Sequence, residues 1–273
     1  MRATSSAHPT AQARRAARGR TAHVLARAGL TARGIIYLLI GWVAIEVALG
    51  HTGREADQAG ALQLLARQPF GLVLLWLLAI GFAAYALWRL SEAAFGVTGD
   101  QPGAGPRLKS LGRAVVYAGF SYLTFSVISG RHRSQSRQQQ DLTARVMQHA
   151  GGQWLIGIAG LVVVAIALYL VFEGVQRKFL KYLNLGRLGP RARRAVELLG
   201  MTGTIARGVI FALAGVLVIE AAVTHDAAKS GGIDKALNTL RGQPLGEVLL
   251  FIAALGLVIF GVYGLCEARW RKV

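Results

Sequence analysis

The sequence predicts an all-α integral membrane protein: six transmembrane helices forming three parallel two-helix hairpin repeats, with a pseudo-threefold bundle as the expected packing. Three observations predict it. Uncharged stretches cover residues 68–88, 114–130, 150–172 and 248–266, and two more, 34–50 and 208–223, are interrupted only by Glu46 and Glu220. Each is about the length that crosses roughly 30 Å of hydrocarbon as a helix. Composition agrees: of 273 residues, 53% are hydrophobic. The third observation is internal repetition. Arg33-Gly34-Ile35-Ile36-Tyr37, Arg113-Ala114-Val115-Val116-Tyr117 and Arg207-Gly208-Val209-Ile210-Phe211 each open an apolar run, and a lone glutamate (Glu92, Glu173, Glu267) closes the next one. A fixed period of this kind marks a repeated structural unit.

The elements follow in order. A basic arm, residues 1–26, carries Arg14, Arg15, Arg18 and Arg20. Repeat 1 occupies 27–95, with spans expected over 30–50 and 70–94. Repeat 2 occupies 107–177, with spans over 112–131 and 152–176. A basic link, 178–200, leads to repeat 3 over 201–270, with spans at 204–224 and 246–269. No cleavable leader is visible, so the first span is expected to be its own insertion signal. Each repeat crosses twice, so all three insert with one orientation and are related by an axis along the membrane normal.

Within the first spans, small residues recur at a seven-residue step: Gly34, Gly41, Ala48; Ala114, Ser121; Gly208, Gly215, Ala222. In lipid, small residues mark close helix contacts. Gly81 and Gly256 match in the second spans, with Val162 in repeat 2. The loop inside each hairpin also repeats: residues 59–66 and 233–240 read as short helices at the interface, each followed by Gln-Pro. Repeat 2 has a polar Ser/Gln/Arg segment there, expected to be mobile.

The net charge of +18 is placed by topology. Seven Lys and Arg lie in residues 1–33, three in 95–113, eight in 177–207 and three in 269–272. The opposite loops are poorer, apart from 131–145. This is the positive-inside pattern, which puts both termini on the cytoplasmic side of the membrane. The expected partners are the bilayer and its anionic headgroups, met by the basic arm and links, and not nucleic acid. A protein partner is not specified by the sequence. The single Cys266 excludes an internal disulfide and a cysteine-based zinc site.

With the repeats laid out, the chain resembles the bacterial domain-of-unknown-function 1206 family over residues 27–270. The resemblance rests on three hairpins that open with Arg, Gly (Ala114 in the second), apolar residues and an aromatic, each ending in glutamate. It implies a three-repeat, six-helix inner-membrane protein and brings no catalytic residues with it.

Three constellations are candidates for chemistry. Arg33, Arg113 and Arg207 share one membrane end with Glu92, Glu173 and Glu267. They suit ion pairs that clamp helices, or a carboxylate ring that selects cations. Glu46 and Glu220, with Ser126 in repeat 2, lie 13 residues after their arginines, about 20 Å along the helix. Acids there suit cation coordination or proton uptake. His51, His132 and His225 near the outer ends are metal candidates only by residue type. No nucleophile–base pair or phosphate loop appears and no cofactor is expected, so the chain is not expected to be an enzyme. The expectation is a small cation- or proton-linked channel or transporter using intramembrane Glu. The alternative is a non-catalytic scaffold or accessory subunit binding lipid or a partner.

Overall fold

The computed structural model describes residues 20–50, 55–95, 104–131, 134–186 and 188–272. Six helices are long and apolar enough to cross a membrane. They are α1 (Arg20–Ala48), α3 (Gly71–Phe95), α4 (Ala104–Ile128), α6 (Gly152–Val175), α7 (Pro190–Thr224) and α9 (Gly246–Trp270). Three shorter helices, α2 (Gln58–Ala66), α5 (Gln135–Met147) and α8 (Gly232–Arg241), occupy the loop inside each hairpin. No strand occurs among the described residues; Leu183 and Arg271 form one isolated bridge.

Three spans begin well before the hydropathy boundary. α1 starts at Arg20 and not near 30, α4 at Ala104 and not near 112, and α7 at Pro190 and not near 204. Proline at the first turn sacrifices no needed donor, and the arginines that follow are good helix formers. At 35 residues, α7 is about 50 Å long, so its first turns project beyond the hydrocarbon. The repeat 2 loop also departs from expectation. Residues 135–147 are helical, with the Ser134 hydroxyl accepting from the Arg137 amide at 3.0 Å as a cap. A capping side chain settles the helix where the apolar pattern is too weak to announce it.

The spans pack in a definite order. Each first span lies along the second span of the preceding repeat: α4 on α3, α7 on α6, and α1 on α9. Small residues make these joints. A Cβ on Gly34 would sit 2.8 Å from the Leu265 side chain, and one on Gly208 would sit 2.8 Å from Val171. At the third joint the Ser121 hydroxyl donates to the Ala79 carbonyl at 3.0 Å. In lipid such close approach supplies the van der Waals contact that drives helix association.

Within the hairpins the three copies differ. α1 packs on α3 and α7 on α9, but α4 and α6 share no packed interface. The helix contacts therefore do not complete a pseudo-threefold bundle. The residues explain the break. Gly29 and Gly203 sit four positions before their arginines. A Cβ on Gly29 would overlap Tyr85 at 2.0 Å, and one on Gly203 would reach the Phe260 backbone at 2.6 Å. Repeat 2 has Lys109 at that place. Gly81 and Gly256 likewise meet Ala32 and Ala206, where repeat 2 has Val162. Two glycines that permit close approach are replaced by larger side chains, and this hairpin stands open.

Candidate functional site

The end at which α1 begins and α9 finishes gathers a cluster of charged residues. From α1, Arg33 pairs with Glu267 of α9, which also takes Arg271. From α3, Arg89 donates to Glu92 at 2.5 Å and to the Tyr85 hydroxyl at 2.7 Å. Ser110 of α4 adds a bond to Glu92 at 3.3 Å. Arg89 is almost wholly enclosed, with 2% of its side chain exposed.

Arg113 and Arg207 are different. Neither makes a hydrogen bond or ion pair with a described residue. Arg113 lies within electrostatic reach of Arg33, Arg89 and Arg271. Arg207 is stacked among rings, with its guanidinium 5.2 Å from the Tyr37 centroid, 4.8 Å from Phe211 and 4.9 Å from Phe260. Tyr37, Tyr117 and Phe211 each lie one turn past their arginine, which puts ring and guanidinium on one helix face. Buried Nε atoms of Arg33, Arg89 and Arg207 have no hydrogen-bond partner.

The site therefore holds five guanidiniums against two paired carboxylates. Glu173, half-buried and within reach of Tyr263, makes no ion pair with a described residue. Uncompensated cations in a poorly solvated setting are costly unless an anion joins them. Guanidinium forks bind phosphate or carboxylate in two-point fashion. The expected carboxylate ring does not form, because Glu92 and Glu267 are enclosed by arginines. Of the three anticipated Arg–Glu repeats, only Arg33 with Glu267 is an ion pair. Arg89 and Arg271 were not singled out by the repeat pattern. The signal for Arg89 is that it is the one cation inside a long apolar run.

A strap closes this end. After α6, a 3-10 turn over Lys178–Tyr182 leads to Asn184, whose amide donates to the Trp270 carbonyl at 2.7 Å. The Lys272 amide returns a bond to the Tyr182 carbonyl at 2.8 Å. Phe179 packs edge-on against Tyr263 at 5.2 Å. The C-terminal end of α9 is thereby fixed, which positions Glu267 and Arg271.

At the opposite end two carboxylates of the hairpin loops hold backbone amides. Asp57 caps α2, its Oδ1 accepting from the Gly60 amide at 3.0 Å, while its buried Oδ2 has no partner. Burial, with Glu55 and Asp234 adding repulsion, pushes its carboxyl up to about 7. Asp234 of α8 ties the repeats together: it accepts from the Ala56 amide at 2.8 Å and from the Ser136 hydroxyl at 3.4 Å. Burial raises its carboxyl as well.

The remaining sequence candidates lie apart. Glu220 is exposed and pairs with Lys229 at 2.6 Å. Glu46 and Ser126 are half-buried. No hydrogen bond or ion pair joins Glu46, Ser126 and Glu220 to one another. His225 is an exposed residue at the C-cap of α7, with φ +54°. His51 and His132 lie outside the described residues. Among the described residues no His/Cys/Asp/Glu cluster is placed to hold a metal.

Fold and charge placement together define a multi-pass α-helical membrane protein built from three repeated hairpins. Comparison with known families finds three copies of one unit: the Domain of Unknown Function (DUF1206) model matches residues 28–96, 108–177 and 202–271. The chain belongs to this family. It is 31% identical over 250 residues to "Uncharacterized protein YxxB" of Bacillus subtilis (strain 168), covering 90% of each chain. No solved structure matches it.

Proposed function

We propose that this is a non-catalytic bacterial inner-membrane protein, with both termini cytoplasmic, that binds an anionic group at its arginine end. One observation carries the reading: among the described residues Arg113 and Arg207 stand without acidic partners beside three further arginines, and three buried Nε donors there find no partner. The positive-inside count supports the orientation, so the site faces the cytoplasmic leaflet. The basic links and N-terminal arm add attraction for the same charge.

Cation conduction has less support. Glu92 and Glu267 are matched by arginines, and Glu220 is engaged by Lys229. Aromatic side chains crowd the space beside the arginines, with Tyr37 against Phe260 at 4.8 Å and Tyr85 against Tyr117 at 4.3 Å. Such packing favours a binding protein over an open pore.

The test is thermal stability of the detergent-solubilised protein in phosphate against chloride at equal ionic strength. Phosphate is expected to raise the midpoint, and Arg113→Gln to abolish the increase. Equal midpoints in both salts contradict the reading. So does proton or potassium flux in proteoliposomes that Arg113→Gln leaves unchanged.

A further inference from the structure

We propose that the anion is the phosphate of a membrane lipid, which enters sideways between α4 and α6 with its acyl chains in the open repeat 2 hairpin. The inference rests on the anion reading above and names the ligand class and its route.

Equivalent positions in the three repeats make the argument. In repeat 1, Tyr85 and Trp88 are buried where α3 meets α1; in repeat 3, Phe260 and Tyr263 are buried where α9 meets α7. The matching residues of α6, Ile166 and Tyr169, are 52% and 45% exposed, and Val162, in place of the glycines, is 52% exposed. Facing them on α4, Val116 is exposed, and nothing lies within 4 Å of a Cβ placed on Gly112. The hairpin surfaces that close on each other in repeats 1 and 3 are free here.

Charge complementarity identifies what fills the cleft. At its cytoplasmic end the Lys109 ammonium lies 3.3 Å from the Tyr169 hydroxyl and 4.7 Å from the ring centroid. This contact bridges the two helices. Arg113 is one turn inward of Lys109, on the same face of α4. Two cations thus lead from the mouth of the cleft to the arginine cluster, while apolar side chains line the remainder. An anionic head above two hydrocarbon tails matches both parts. Lys109, replacing a packing glycine, both holds the hairpin apart and offers the first phosphate contact.

The experiment uses the full chain, delipidated in a zwitterionic detergent. It is titrated with phosphatidic acid or phosphatidylcholine spin-labelled on the acyl chain, and the immobilised spectral component reads occupancy. Phosphatidic acid is expected to be immobilised at about one per protein, with phosphatidylcholine at least about tenfold weaker. Arg113→Gln is expected to weaken phosphatidic acid by about tenfold or more. Lys109→Gly/Val162→Gly restores the glycines of the other repeats and is expected to expel the lipid. Lys109→Gln, milder for the helix, is expected to weaken it. Equal immobilisation of both lipids, or indifference to Arg113→Gln, overturns the inference. If inorganic phosphate still stabilises the protein through Arg113 while no lipid is immobilised, the lipid inference fails and the anion reading stands. If neither ligand acts, both fail.

Discussion

Repeats 1 and 3 are closed hairpins, while repeat 2 is open. The three units share the arginine that starts them, the aromatic one turn on and the glutamate that ends them. Two of the positions that differ bear on closure: Gly29 and Gly203 against Lys109, and Gly81 and Gly256 against Val162. Shared residues thus build the joints between repeats, and two glycines decide whether a hairpin closes. The difference also separates charge. Glu267 of repeat 3 is enclosed by Arg33 and Arg271, whereas Glu173 of repeat 2 pairs with no described residue.

The largest effect expected from this contrast is at those two glutamates. Glu267→Gln leaves Arg33 and Arg271 facing each other without their anion, and should cost about 3–5 kcal/mol. Glu173→Gln removes no ion pair and should change stability little. Unfolding in mixed detergent measures both, and equal losses would contradict the distinction.

The capping residues separate repeats 1 and 2 through pH. Asp57 caps α2, while neutral Ser134 caps α5. The Asp57 carboxyl titrates near 7 in the fold against an ordinary 3.8, so the folded state binds the proton more tightly than the unfolded one. The contribution of Asp57 to stability is then greatest below about pH 4 and falls as pH rises towards 7, by up to about 4 kcal/mol. Thermal midpoints between pH 5 and 8 should decrease with pH, and Asp57→Asn, which retains a capping oxygen, should flatten the slope. A midpoint that rises with pH in the wild type alone would contradict the assignment.

Exchanging the hairpin residues tests closure itself. Gly29→Lys drives a side chain into Tyr85 and should cost about 1–3 kcal/mol through overpacking. Lys109→Gly should cost no more than about 1 kcal/mol, the helix propensity of glycine. Smallest of all, Glu220→Gln breaks an exposed contact with Lys229 and should cost under about 1 kcal/mol. A larger loss there would restore Glu220 to a functional role.

Much of this was legible in the residues. Hydropathy located all six spans because apolar length is a strong signal. The small-residue stripe marked the joints, and Gly34, Gly41, Gly208 and Gly215 do lie at close helix approaches. The extensions of α1, α4 and α7 were not legible, because helix continues past the hydrocarbon wherever the residues tolerate it. Glu46 and Glu220 drew notice as isolated acids, but a single-chain reading cannot see that Lys229 folds back onto Glu220. The arginine excess was hidden for a related reason: Arg89 has no counterpart in the other repeats, Arg271 recurs only as Arg177, and only packing brings Arg89 and Arg271 beside Arg113. Aligning the repeats four residues ahead of each arginine exposes Gly29, Lys109 and Gly203. That is the signal that marks repeat 2 as the odd copy.

Disulfide crosslinking at equivalent positions tests the central claim directly. In a Cys266→Ser background, Ala32→Cys/Gly81→Cys probes the closed hairpin, where a Cβ on Gly81 would lie 3.1 Å from that of Ala32. Gly112→Cys/Val162→Cys probes the matching place in repeat 2. The account predicts rapid crosslinking of the first pair and none of the second in protein that elutes as folded. Crosslinking of the second pair as fast as the first would mean that repeat 2 is closed, and the account would be wrong.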